Sequence, residues 1–165
     1  MSSNPIKFRL VPGIRATTFR AIGFLEGDGQ LNAWAAFSQF DIKCKRQLLT
    51  YMQGWVDGAN TPKTRFHGWP NDEDYKACFV FKIKENRLGH RLYGLLVHPQ
   101  PIMNGRLQVC VLCIHAKKTE WETDRAELER AKQWCLSSQA KTAIGIVFPE
   151  ESENQSRGSA KQWKH

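Results

Sequence analysis

The chain has no long hydrophobic run, no phosphate-binding glycine loop and, across one 43-residue stretch, almost no acid. Each absence removes a class of protein. No apolar segment approaches the roughly 20 residues that a bilayer-crossing helix needs, so no membrane partner is expected. The first ten residues already carry Lys7 and Arg9 and lack the apolar core of a secretory signal. Walker-type G-x-x-x-x-G-K-[ST], the G-x-G-x-x-G fingerprint, H-E-x-x-H and G-x-S-x-G are all missing, which withdraws support from nucleotide-binding, metalloprotease and hydrolase readings. The five cysteines are an odd number, widely spread, in a chain large enough to fold without disulfide staples. Free thiols and a reducing, cytoplasmic setting are expected. Cys110 and Cys113 form one C-x-x-C, but it lies inside a strand-like run with no second ligand pair, so neither a metal nor a cofactor is expected.

What is present describes a folded domain. The chain is 165 residues long, 41% hydrophobic and 24% charged, enough for one hydrophobic core but not for two. Residues 1–10 read as a poorly ordered entry, 11–149 as a single domain and 150–165, polar and without apolar periodicity, as a disordered tail. The formal charge is +8, and its placement matters more than its total. Between Lys76 and Lys118, eight Lys or Arg (Lys76, Lys82, Lys84, Arg87, Arg91, Arg106, Lys117 and Lys118) stand against Glu85 alone, a net +7. An excess so lopsided raises the local potential and attracts polyanions.

Periodicity orders the elements. Arg15 to Leu25 alternates as one strand, and Asn32 is placed to cap a long helical region running to Val56 on a stripe of Ala35, Ile42, Leu49, Met52 and Val56. Gly58 to Tyr75, with Pro62, Gly68 and Pro70, reads as a long surface connection in which Phe66, His67 and Trp69 pin the loop to the body. Ala77 to Lys84, Arg91 to His98 and Leu107 to Ala116 form three strands, an antiparallel meander. The last is apolar on both faces and ends in His115-Ala116-Lys117-Lys118, with His115 and Lys117 on one side by parity. A helix from about Asp124 to Leu136 follows, with Asp124 and Glu127 spaced as a capping pair. Ala143 to Phe148 then adds a short strand or covers an edge. The fold class is therefore α+β: a small antiparallel sheet of about four strands, packed against a long N-terminal helical region and a C-terminal helix.

The basic strands carry groups suited to cleaving RNA without a metal. That reaction needs a base for the 2′-hydroxyl proton, cations for the pentacoordinate phosphate and an acid for the leaving oxygen. His115 titrates nearest neutrality of the groups at the strand end. Arg91-Leu92-Tyr93-Gly94, the apolar strand Val109 to Ile114, His115-Ala116-Lys117-Lys118-Thr119 and the helix containing Glu127 to Ala131 follow in an order that resembles the RelE/ParE toxin superfamily. It is most similar to the phage-derived, HigB-like branch, over about residues 77 to 135.

The resemblance implies a type II toxin: an endoribonuclease acting on mRNA at the ribosome, with no metal and a cognate antitoxin protein as its partner. By position, Arg91 matches the family's basic residue on the middle strand, and Lys117 and Lys118 match its Lys-Lys element. With His115 these form the expected catalytic set. Lys82, Lys84, Arg87, Tyr93 and Arg106 are the expected RNA contacts. Ala116 stands where the family has an aromatic residue, and the connections Thr61 to Tyr75 and Pro99 to Asn104 are longer than its own. The same cationic sheet also suits a non-catalytic nucleic-acid-binding or protein-docking module of phage or mobile-element origin.

Overall fold

The computed structural model describes residues 5–27, 29–59, 63–100, 106–118 and 125–149. Six strands form one sheet in the order β1-β2-β6-β5-β4-β3, where β1 is Lys7–Leu10, β2 Arg20–Glu26, β3 Phe66–Gly68, β4 Cys78–Glu85, β5 Leu88–Val97 and β6 Gln108–Lys118. The helices α1 (Ala33–Gln39) and α2 (Ile42–Val56) follow β2; α3 (Arg125–Cys135) and α4 (Ser138–Val147) follow β6.

The meander β4-β5-β6 is antiparallel, but β2 lies parallel to β6, so the sheet is mixed. One face packs Ile22, Phe24, Phe81, Leu92 and Leu112 against Leu48 and Met52 of α2. The other packs Val80, Tyr93, Val109 and Val111 against Leu128 and Ala131 of α3 and Ile144 of α4. Each large apolar side chain so buried contributes about 1.5–3 kcal/mol.

This corrects the expected fold of about four antiparallel strands on a long helix. A parallel neighbour needs a crossover, and α1 with α2 supplies it on one face while α3 and α4 cover the other. Both faces of β6 are apolar because both are covered. The expected single helical region breaks at Phe40, whose extended backbone (φ −63°, ψ 150°) stops α1 before Asp41 caps α2 by accepting the Cys44 N–H at 2.8 Å. Ala143 to Phe148 is helix, not strand: Ser137 accepts the Ala140 N–H at 3.1 Å and starts α4, and short apolar runs do not distinguish the two by pattern alone. The entry segment holds β1, and the long connection holds β3. Asp124 and the 150–165 tail lie outside the described residues. Among the described residues, no helix is long and apolar enough to cross a membrane.

Two local features decide where the polar side chains go. Tyr93 pairs with Ile114 but Gly94 pairs with Leu112, so Cys113 is an extra residue and β6 bulges there. Cys113 and Ile114 both enter the α3 side of the core, and every later residue of β6 switches face. The second feature is the hairpin turn between β4 and β5. Asn86 and Arg87 take φ of 52° and 67°, as a two-residue turn with both centres left-handed requires. Glycine tolerates that region freely and arginine does not, so Arg87 holds the exposed hairpin tip at some cost.

Candidate functional site

The end of the sheet where β4 meets β5 and β6 finishes gathers most of the expected cations. The register sets Lys82 opposite Arg91, which in turn faces Ala116; one row further out, Lys84 faces Gly89 and Gly89 faces Lys118. Lys82, Lys84, Arg91 and Lys118 all project to the α3 side. Arg91 is the floor of this group at 8% exposure, Lys82 and Lys118 are half-buried around it, and Lys84 is exposed. Glycine at 89 is required here: a Cβ would stand 2.8 Å from the Lys118 carbonyl oxygen.

Like charges placed directly opposite on neighbouring strands repel. Burial first, and the Arg91 guanidinium second, push the Lys82 ammonium below the ordinary lysine range. Arg91 donates from Nη1 to the Tyr93 hydroxyl at 3.4 Å, and Lys118 is paired at 2.9 Å with Glu127, a buried carboxylate from the first turn of α3. The other oxygen of Glu127 has no hydrogen-bond partner among the described residues.

His67 of β3 joins the same face, beside Val80 and two residues from Lys82 in register. Its Nδ1 lies 3.0 Å from the Gly68 carbonyl, and its ring stands edge-on to Trp69 with centroids 4.7 Å apart. Burial lowers its pKa, as do Lys82, Arg91 and Lys63, against the Gly68 carbonyl that favours the charged ring.

The opposite face of this end is different in kind. The bulge at Cys113 carries His115 and Lys117 to the α1 side, away from Arg91 and Lys118. Strict alternation from Val109 would have kept them with Cys113. His115 Nε2 and His90 Nδ1 are 2.9 Å apart, with rings inclined by 18° and both near the edge of Phe40. Burial, then His90 and Lys117, lower the His115 pKa to about 4. Asn32 caps no helix with its side chain. It serves β6 as a substitute strand, its Oδ1 accepting the His115 N–H at 2.8 Å while its Nδ2 donates to the His115 carbonyl at 3.3 Å.

The expected catalytic four are thus divided by the sheet: Arg91 and Lys118 on one side, His115 and Lys117 on the other. Of the expected RNA contacts, Lys82 and Lys84 join Arg91, and Arg87 sits at the adjoining hairpin tip. Tyr93 is fully buried in the core, where no base could stack on it. Arg106 precedes β6 at the far end of an 11-residue strand, roughly 35 Å from Lys117 at about 3.3 Å per residue. The sequence pattern assigns no function to His67 or His90. Only the pairing of β3 with β4 brings His67 to the cations.

Asp41, Cys44 and Glu85 offer three metal-capable atoms within 4.8 Å of one another, but Asp41 accepts the Cys44 N–H and Glu85 the Asp41 N–H, so both carboxylates cap α2. A cavity of about 620 Å³ lies at the opposite end of the α3 face, between Leu95, Val97, Leu136 and Ile144. It is walled mainly by apolar side chains, and Lys132 at its rim donates to the Asp74 carbonyl, so the cationic end remains the better place for chemistry. Comparison with family models, with curated proteins and with solved structures gives no match to the chain.

Proposed function

We propose that the chain is a metal-independent endoribonuclease of the type II toxin kind, acting on mRNA in the cytoplasm and silenced by a cognate antitoxin protein. The observation that carries this reading is the Lys82–Arg91 pair, two like charges set opposite each other on one sheet face with Lys84 and Lys118 in the next row. Like charges directly opposite repel, and the phosphate of a phosphodiester laid across Lys82 and Arg91 is attracted to both. Arg91, Lys84 and Lys118 hold the phosphate and stabilise the charge that grows on it in the transition state. Lys82, with its depressed pKa, is the ammonium best suited to give up a proton to the leaving 5′-oxygen.

The test is cleavage of RNA by the purified protein, with and without ribosomes, together with growth after induction. Cleavage that leaves a 2′,3′-cyclic phosphate, and that Lys82→Ala and Arg91→Ala abolish while remaining folded, supports the reading. A folded wild type that binds RNA with salt-sensitive affinity but leaves it intact, and leaves growth untouched, would make this a binding module instead.

A further inference from the structure

We propose that His67 is the general base of this site: its Nε2 takes the proton of a ribose 2′-hydroxyl while the Lys82 ammonium protonates the departing 5′-oxygen. The inference rests on the ribonuclease reading above and names the group that the reading leaves open.

Three observations point to it. The Gly68 carbonyl can only accept, so the His67 Nδ1 at 3.0 Å must be the donor, and the neutral ring therefore carries its bare lone pair on Nε2. That nitrogen has no hydrogen-bond partner among the described residues. Trp69, edge-on at 4.7 Å, fixes the plane of the ring.

Position agrees with tautomer. His67 pairs with Val80, so Lys82, two residues along, is its diagonal neighbour on the same face at about 7–8 Å between backbones. A phosphodiester bridges that gap with its 2′-oxygen toward one residue and its 5′-oxygen toward the other. The charges acting on His67 are Lys82, Arg91 and Lys63, all positive, and with burial they keep the ring neutral near pH 7.

The step balances without a cofactor. The 2′-oxygen bonds to phosphorus, the bond from phosphorus to the 5′-oxygen breaks, and the products are a 2′,3′-cyclic phosphate and a 5′-hydroxyl. One proton goes to His67, one leaves Lys82, and water returns the first to the second.

The experiment uses the full chain. His67→Asn keeps an N–H donor toward Gly68 but has no counterpart of Nε2. We expect single-turnover cleavage of a short RNA to fall at least about 100-fold, with the acid limb of the pH–rate profile lost. Affinity for the fully 2′-O-methylated RNA of the same sequence should stay within about twofold of wild type, since ground-state contacts are untouched. Nitrogen NMR of the uncleaving, RNA-free protein should show His67 neutral and protonated at Nδ1 at pH 7.

A variant that cleaves as fast as wild type removes His67 and leaves the ribonuclease reading standing. Loss of affinity in step with rate would make His67 a positioning residue and overturn its role as base. An Nε2-protonated ring overturns it whatever the cleavage assay shows. A wild type that cleaves nothing overturns both readings together.

Discussion

The two faces of the sheet's cationic end are built from alternate residues of the same strands, yet they solve opposite electrostatic problems. On the α3 side, Lys82, Lys84, Arg91 and Lys118 are set close together, with Glu127 against one of them. On the α1 side, His90 and His115 are held neutral and spend their polarity on each other, under Phe40 and beside Asn32. The first face places cations side by side, with Lys118 paired to Glu127. The second is closed within the protein. A strand end that looks uniformly basic in sequence is therefore a cationic surface on one side and a packed polar layer on the other.

The bulge that divides them is the most vulnerable point. Gly94 lies against the β6 backbone at the bulge, and a Cβ there would strike the Val111 carbonyl oxygen. Gly94→Ala should cost about 3 kcal/mol or more, because backbone on both strands must shift to make room. Urea denaturation measures it. A loss under about 1 kcal/mol would show that the register tolerates rearrangement and that the bulge does not hold the two faces apart.

Arg91→Ala comes next. It should lower RNA cleavage by about 100-fold or more and weaken binding, while folding is retained. His115→Gln, on the other face, should leave both within about threefold. Equal losses from the two would dissolve the distinction between the faces.

The histidine layer makes a separate prediction in pH. His115 has a folded-state pKa of about 4 against an ordinary 6.5, lowered chiefly by burial, and His90 and His67 shift in the same direction. Between those two values the unfolded chain binds protons that the folded chain does not. Stability is therefore full above about pH 6.5 and is lost as the pH falls toward 4. One pKa unit corresponds to about 1.4 kcal/mol, and screening at a half-buried ring brings the expected loss to the order of 2 kcal/mol. Denaturation midpoints measured between pH 7 and 4.5 should show that slope, and His115→Gln should flatten most of it. An unchanged slope in the variant would place the titration elsewhere.

How much of this was legible in the sequence follows from which physical signals are local. The meander β4-β5-β6 could be read because β-branched and aromatic residues alternate with turn residues around Asn86, and the double-sided apolar pattern of β6 already marked it as covered. The cations Lys82, Lys84 and Arg91 were legible as charge. The bulge was not, because Cys113 is apolar like its neighbours Leu112 and Ile114, and the insertion shows only in the pairing with Tyr93 and Gly94. One residue of slip was enough to move His115 and Lys117 to the wrong partners. The break between α1 and α2 had a signal: Asp41, a favoured N-cap type, interrupts the expected stripe, two of whose members, Ala35 and Ile42, are exposed. The short strands β1 and β3 had none, since four and three residues cannot establish a period. His67 was invisible for the same reason.

Asn32→Ala tests the closed face more gently. The amide replaces a missing strand by bonding both backbone groups of His115, and its removal leaves them unpaired at a partly buried position. A loss of about 1–2 kcal/mol is expected, with faster hydrogen exchange at the His115 amide and no change in RNA affinity. Affinity that falls with stability would mean that the α1 face supports the site after all.

The smallest effect should come from Lys117→Ala, and it discriminates best for that reason. Lys117 and Lys118 are adjacent in sequence and alike in charge, so any account based on net charge gives their variants the same result. The fold does not. Lys117 is exposed on the histidine face, while Lys118 is half-buried beside Glu127 in the row with Lys84. Removing a cation that neutralises one phosphate should lower the slope of log affinity against log salt by about one. Lys118→Ala should show that change, and Lys117→Ala should leave the slope intact with less than about a threefold loss of affinity. If the two slopes fall equally, RNA wraps the sheet end and touches both faces, and the bulge does not separate a cationic surface from a closed one.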